Sequence, residues 1–227
     1  MAPTGHMDTS LNAEIRPNRC RIVLIALPGN ASEQSLEEAL SAGDVASVVL
    51  VAGELDEQGF QRHCEKLVPV IQRHEAAALI GDNTQIMGRT AADGVLLETP
   101  GDSFRDQLAR FSPQRIVGLG GARERHRALE LGEANPDFVF FGKSDGDIRP
   151  EPHHKNLALA QWWADMVEIP CVVMAGSSLD SVVECAATGA DFVALGLAVF
   201  AHVDGPGAAV AQANAMLDEH APLFDAA

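Results

Sequence analysis

The sequence predicts an α/β protein, a single-domain (β/α)8 TIM barrel, and three observations support this prediction. The chain has 227 residues, which suits one large domain or two small ones. Eight short apolar runs alternate with stretches whose apolar residues have helical spacing. The runs are nearly continuously apolar, as in parallel strands that helices cover on both faces. Eight strand–helix units therefore favour a closed barrel, with an open doubly wound sheet as the alternative.

Each predicted strand is rich in valine, isoleucine, leucine or phenylalanine, and most are followed by a glycine or an acidic residue. In chain order the strands cover residues 21–27, 47–52, 77–80, 94–97, 115–119, 137–141, 171–175 and 192–195. The predicted helices between and after them are amphipathic, and they cover residues 35–41, 57–74, 84–90, 104–111, 123–132, 157–167, 179–188 and 208–220. Residues 1–18 are predicted to be a flexible N-terminal tail without the pattern of a signal peptide, and residues 19–227 the barrel domain.

Composition limits the partners of the chain. Asp and Glu number 32 against 16 Lys and Arg, which gives a formal net charge of −16, so the surface would repel the phosphate backbone of a nucleic acid. No apolar run approaches the ~20 residues of a membrane span. The four cysteines form no CxxC pair, which argues against a zinc module or a disulfide framework and predicts a cytoplasmic location. A phosphorylated small molecule is a compatible ligand, because backbone N–H groups bind phosphate without cationic side chains.

The functional site of such a barrel lies where the strands end and the helices begin. The seventh predicted strand ends at Ala175, which Gly176 and Ser177 follow, and Gly196 comes directly after the eighth strand. Glycine lets a ligand approach the backbone, and barrel enzymes often bind phosphate with donors from these last two loops. We therefore expect a phosphate site here. A short extra helix is predicted after the eighth strand. The alternative to a phosphate site is that the two glycines only permit tight turns and that Ser178 only caps the next helix.

Two carboxylates near the predicted barrel mouth are candidate ligands for Mg²⁺. Asp82 follows the third strand, and Asp102 follows the fourth. Carboxylate oxygens suit Mg²⁺, and Mg²⁺ in turn suits a diphosphate substrate. The alternative for each aspartate is the N-cap of the next helix.

The loop over residues 143–155 is the longest and most polar at the mouth. It concentrates Lys143, Arg149, His153, His154 and Lys155 in an otherwise acidic chain. Loops of this length are typical of lids and binding segments. We expect either an anion-binding loop or a solvated one.

Several motifs occur in an order and at spacings that resemble one known family. They are Leu79-Ile-Gly-Asp82, Ala92-Asp-Gly-Val-Leu-Leu97, Pro136-Asp-Phe-Val-Phe-Phe-Gly142, Ile169-Pro-Cys-Val-Val-Met-Ala-Gly176 and Gly189-Ala-Asp-Phe-Val-Ala194. Over residues 20–202 the chain resembles the thiamine phosphate synthase (thiamine-phosphate pyrophosphorylase) and TenI-like family.

The resemblance implies a (β/α)8 barrel, often a homodimer, whose reaction uses Mg²⁺ to join a pyrimidine-methyl diphosphate to a thiazole phosphate. Pyrophosphate leaves through a carbocation-like transition state. The family's aspartate is retained as Asp82, and Arg149 stands where the family has a lysine. With Lys143 of the polar loop, these are the predicted catalytic residues, and Asp82 and Asp102 stay the predicted Mg²⁺ ligands.

The chain also departs from the family at the mouth. Val49, Val51 and Gly53 stand where the family has the polar residues after strand two that hold the pyrimidine and the diphosphate. Gly120 stands in place of a serine, and Gly142 is retained after strand six. The resemblance implies that both glycines contact the substrate.

Three functions stay open at this point. The first is a divergent thiamine phosphate synthase-like transferase of thiamine biosynthesis. The second is a non-catalytic or repurposed barrel that binds a phosphorylated small molecule, which the lost polar groups favour. The third is a TenI-like thiazole isomerase, for which His153 and His154 are the candidate general bases.

Overall fold

The computed structural model describes residues 18–101 and 104–224, so all of the predicted 1–18 tail except Asn18 lies outside the described residues, as do Asp102, Ser103 and residues 225–227. Eight parallel strands close into a barrel in chain order, and β8 pairs with β1. This topology confirms the predicted (β/α)8 fold. The strands are β1 Arg21–Ala26, β2 Val45–Leu50, β3 Ala77–Gly81, β4 Gly94–Leu97, β5 Ile116–Leu119, β6 Phe138–Phe141, β7 Cys171–Met174 and β8 Phe192–Leu195.

Helices follow the strands and cover the outer face of the barrel. They are α1 Glu33–Leu40, α2 Glu57–Arg73, α3 Thr84–Thr90, α4 Phe104–Phe111, α5 Arg125–Gly132, α6 His154–Met166, α7 Ser181–Ala186, α8 Leu197–Phe200 and α9 Pro206–His220. Helix α8 is the short extra helix expected after the eighth strand. Among the described helices, none is both long enough and apolar enough to cross a membrane.

The observed boundaries of β2 and α6 differ from the predicted ones. Strand β2 begins at Val45, whose pairing with Ile22 places the strand two residues earlier than predicted. Helix α6 begins at His154 because the side chain of His153 caps it, accepting a hydrogen bond from the Lys155 amide at 3.3 Å. The loop after β6 is therefore shorter at its C-terminal end than the sequence suggested.

The core has two layers. Between the strands and the helices lies a continuous shell of aliphatic side chains, and a second cluster fills the inside of the barrel. Phe138 and Phe140 supply the largest side chains of this inner cluster. Gly118 makes room for them, because a Cβ at this position would collide with the Phe138 ring. The barrel interior is thus a packed core, and the mouth is the place left for a ligand.

Three aspartates at the start of even-numbered strands tie these strands to their neighbours. The carboxylate of Asp93 accepts a hydrogen bond from the Ala78 amide at 2.8 Å. The carboxylate of Asp137 likewise accepts a hydrogen bond from the Val117 amide at 2.7 Å. The carboxylate of Asp191 accepts one from the Cys171 amide at 2.8 Å. The repeated Ala-Asp or Pro-Asp motifs of the sequence are therefore structural, at the end of the barrel opposite the mouth.

Candidate active site at the barrel mouth

Side chains alternate along each strand, so the inner cluster shows which positions point into the mouth. Continuing the inward-facing positions beyond the strand ends gives a ring of residues after each strand. The ring consists of Leu27, Val51, Gly81, Glu98, Gly120, Gly142, Gly176 and Gly196. The ring surrounds a bowl at the mouth, and five of its positions are glycines, at each of which a Cβ would lie within 3.3 Å of a neighbouring atom. Glu98 is the one ionisable residue among the eight.

Glu98 is held by the loop after β6. The Ser144 amide donates to both carboxylate oxygens, at 3.1 and 3.2 Å, and the Ser144 hydroxyl donates to Oε1 as well. Burial raises the pKa of Glu98 to about 7; the Asp82 and Asp145 carboxylates add to the rise, and the Ser144 amide and the Lys143 ammonium oppose it. Glu98 is therefore a carboxyl group that gains and loses its proton near neutral pH, the range required of a general acid or base.

Asp82 positions the loop that carries Glu98. Its backbone is left-handed, with φ of 50°, and its Oδ1 accepts hydrogen bonds from the amides of Glu98 at 2.8 Å and Thr99 at 3.4 Å. The N-cap of α3 is Asn83, whose Oδ1 accepts a hydrogen bond from the Ile86 amide at 2.8 Å. The alternative interpretation of Asp82 as a helix cap is therefore wrong.

The expected phosphate site after β7 and β8 is already occupied by the chain itself. The Ser177 amide donates to the Arg149 carbonyl at 2.7 Å, and the Ser178 amide to the Pro150 carbonyl at 3.3 Å. The Gly176 amide donates to Ser181 Oγ at 3.1 Å. The loop after β6 thus lies over the amides that a phosphate would use, and Ala175 is buried beneath it.

Asp147 completes this coverage. Its side chain is 3% exposed, and its Oδ2 accepts a hydrogen bond from the Leu197 amide, directly after Gly196. A methyl group at Gly196 would lie 2.7 Å from the same oxygen. Burial and the nearby Asp145 raise the pKa of Asp147, and the Leu197 amide opposes this rise. The carboxylate takes the place that a bound anion would have at this amide.

The three catalytic residues that the resemblance implied lie in different settings. Asp82 is on the loop after β3, and Lys143 is exposed at the mouth near Glu98. Arg149 also has an exposed side chain, and its backbone carbonyl contacts Ser177. His153 and His154 stack on each other, with ring centroids 5.0 Å apart. The structure thus places Asp82 and Lys143 near Glu98, which was not among the predicted site residues. The catalytic roles of Asp82, Lys143 and Arg149 stay predictions.

A cavity of about 680 Å³ opens beside Glu98, between the loops after β4, β5 and β6. Gly120 and Gly142 line it on the side of the barrel axis. Four Lys and Arg residues line it, namely Arg123, Arg127, Lys143 and Lys155, together with His153. The cavity falls within the usual range for small-molecule sites, ~300–1,000 Å³.

The predicted Mg²⁺ site stays a prediction, because only one of its two carboxylates, Asp82, is among the described residues. Asp82 Oδ1 accepts hydrogen bonds from two backbone amides. Both carboxylate oxygens of Glu98 accept hydrogen bonds from the Ser144 amide. Within residues 18–101 and 104–224, no three His, Cys, Asp or Glu side chains converge on a position that a metal ion would fit. Asp102, the second predicted ligand, lies outside these residues.

Comparison with known proteins identifies the family. A family model described as thiamine monophosphate synthase matches residues 22–199. The thiamine-phosphate synthase of Rhodospirillum centenum is 32% identical over 204 residues, covering 87% of this chain and 98% of that protein. The thiamine-phosphate synthase of Hyphomonas neptunium is 34% identical over 220 residues, which cover 91% of this chain and 97% of that protein.

A solved structure supports the same fold. Thiamine phosphate pyrophosphorylase from Pyrococcus furiosus superposes with a TM-score of 0.74 at 21% identity, over 89% of this chain and 97% of that one. At this identity the similarity is evidence for the fold alone. The family model and the two relatives establish more: the chain belongs to the thiamine monophosphate synthase family.

Proposed function

We propose that the chain is a thiamine phosphate synthase, which joins a pyrimidine-methyl diphosphate to a thiazole phosphate. The observation that carries this proposal is the similarity to two proteins of that name over 98% and 97% of their lengths. The chain therefore contains a counterpart of nearly the whole enzyme in each case.

In this reaction the bond between the methylene carbon and the diphosphate oxygen breaks, and pyrophosphate leaves with the electron pair. The ring nitrogen of the thiazole supplies the pair for the new carbon–nitrogen bond. Negative charge thus grows on the leaving group, and positive charge grows on the methylene carbon. The site has to stabilise the negative charge on the leaving pyrophosphate and keep water away from the methylene carbon.

The residues at the mouth suit these two tasks. Lys143 and Arg149 place cationic groups on the loop after β6, where they would stabilise departing pyrophosphate. Leu27 and Val51 are partly buried apolar residues at the opposite side of the bowl. They would bind the pyrimidine ring and exclude water from the reacting carbon.

The direct test incubates the purified protein with both substrates and Mg²⁺ and measures thiamine phosphate by mass spectrometry. We expect product from the unmodified protein and a decrease in kcat of about 10²–10³ for Lys143→Ala, the usual effect of removing one group that stabilises the transition state. Lys66→Ala removes the same charge from the exposed surface of α2 and serves as the matched control. Absence of product at high enzyme concentration would refute the proposal.

A second candidate is a barrel that binds a phosphorylated small molecule without turning it over. One observation favours it: Val49, Val51 and Gly53 replace the family's polar residues. Tight binding of thiazole phosphate or thiamine phosphate without product formation would select this candidate. Conversion of one thiazole tautomer into the other would select the isomerase, with Glu98 as a further candidate base.

We also propose a cytoplasmic location and a homodimer. The four cysteines are buried thiols without disulfide bonds, which suits a reducing compartment. The dimer is inferred from the family resemblance, and light scattering of the purified protein would test it.

A further inference from the structure

The cavity beside Glu98 differs in charge from the rest of the molecule. The chain has a net charge of −16 and contains three lysines, Lys66, Lys143 and Lys155. Two of the three line this cavity, together with Arg123 and Arg127, whereas Glu98 is the one acidic residue among the described residues that line it. Four of the 16 Lys and Arg residues of this acidic protein therefore line one cavity.

The four Lys and Arg side chains of the cavity differ in whether an acidic side chain already pairs with them. Arg127 donates to Glu130 at 2.9 Å and to the Pro100 carbonyl at 3.4 Å, so its guanidinium is fixed in place. In the described part of the chain, Arg123, Lys143 and Lys155 form no ion pair with an acidic side chain at salt-bridge distance. Three positive charges therefore stay available to an anion that enters.

The shape of the cavity suits an anion as well. Gly120 and Gly142 form part of its wall, so backbone atoms after β5 and β6 border the cavity and are open to a ligand. Burial raises the pKa of Glu98, which reduces the negative charge that this residue presents to the cavity near neutral pH.

The two alternative places for an anion are less suitable in this chain. After β2, the positions of the family's diphosphate-binding residues hold Val51 and Gly53, which offer no charge. After β7 and β8, the amides of Ser177 and Leu197 are taken by the Arg149 carbonyl and the Asp147 carboxylate.

We propose that this cavity binds the diphosphate group of the phosphorylated substrate, with Arg123, Lys143 and Lys155 as its cationic ligands. The assignment rests on the proposed function, because that function supplies a diphosphate. It places the diphosphate between the loops after β5 and β6 and the start of α6. Arg123 contributes a planar guanidinium that can contact two oxygens, and the two lysines contribute point charges.

The test measures binding of inorganic pyrophosphate by calorimetry at fixed ionic strength, without the second substrate. The variants are Arg123→Ala, Lys155→Ala and Lys155→Arg, and Lys66→Ala is the control. Both residues to be truncated are exposed, so the fold should be retained, and circular dichroism verifies this. We expect Arg123→Ala and Lys155→Ala each to weaken binding by about 10-fold or more, the effect of losing one charge-assisted hydrogen bond. Lys155→Arg should restore most of the affinity, and Lys66→Ala should keep it.

Equal affinities for Arg123→Ala, Lys155→Ala and Lys66→Ala would overturn the assignment, as would a wild-type protein that does not bind pyrophosphate. The outcome is separable from that of the proposed function. A protein without synthase activity that binds pyrophosphate through Lys155 would refute the function and support the cavity. A synthase whose KM for the pyrimidine diphosphate is unchanged in Arg123→Ala and Lys155→Ala would support the function and refute the cavity.

Discussion

The Ser144 amide donates to both carboxylate oxygens of Glu98, at 3.1 and 3.2 Å. These residues lie on the loops after β6 and β4, so the contact joins two loops across the mouth of the barrel. It also holds a half-buried carboxyl group whose pKa responds to the charges of Asp82, Asp145 and Lys143. The protonation state of Glu98 is thereby coupled to the stability of the mouth.

This coupling predicts a pH dependence of stability. The pKa of Glu98 in the folded protein, about 7, is above the ordinary value of 4.5. The folded state therefore binds the proton more tightly than the unfolded state does, and the resulting stabilisation is complete below the ordinary value and is lost as the pH rises through about 7. Glu98→Gln cannot lose a proton, so its Tm relative to wild type should rise over this range, by roughly 2–4 °C for each 1 kcal/mol in a domain of this size.

Thermal denaturation of both proteins at a series of pH values measures this difference. Glu54→Gln removes one negative charge from the exposed loop after β2 and controls for net charge. The prediction would be contradicted if the Tm difference from wild type were the same for Glu98→Gln as for Glu54→Gln at every pH.

The second prediction concerns the loop after β6. Asp147→Asn weakens the contact with the Leu197 amide, because a neutral acceptor replaces a carboxylate. Amide hydrogen exchange at Leu197 and Ser177 should become about 10-fold faster or more, as expected for the loss of a charge-assisted hydrogen bond. Asp145→Asn changes an exposed carboxylate two residues away in the same loop, and it should leave exchange at both amides as in the wild type.

A third prediction tests the close packing of this loop on β8. Gly196→Ala would place a methyl group 2.7 Å from Asp147 Oδ2 and 3.6 Å from the Ile25 carbonyl. The carboxylate has to move away, so the free energy of unfolding should fall by about 1–3 kcal/mol, the usual cost of overpacking. Gly29→Ala, where a methyl group meets nothing within 4 Å, is the control for urea denaturation. Equal stability of the two variants would show that the loop does not press on Gly196.

Much of this architecture follows from local sequence. The apolar runs and the glycines after them predict the strands and the open mouth. The alternation that places Leu96 inside the barrel also places Glu98 at its mouth, yet a single Glu after a strand looks like part of a turn. The coverage of the phosphate site could not be predicted, because it depends on a contact between Asp147 and Leu197, which are 50 residues apart. The motifs locate both loops, but no pattern within either loop shows that they touch.

Asp82 gives the last prediction, since its two interpretations differ in their consequences. If Asp82 positions the loop after β4, Asp82→Asn keeps the acceptor for the Glu98 and Thr99 amides and tolerates the left-handed backbone. Asp82→Ala loses the acceptor and should lower the free energy of unfolding by about 1–3 kcal/mol. We therefore expect Asp82→Asn to match the wild type in urea denaturation and Asp82→Ala to be less stable. The synthase assay supplies the second measurement, the Mg²⁺ concentration at half-maximal rate. An unchanged value in Asp82→Asn is expected for a positioning residue, whereas a large increase would show that Asp82 binds the metal, as the sequence predicted.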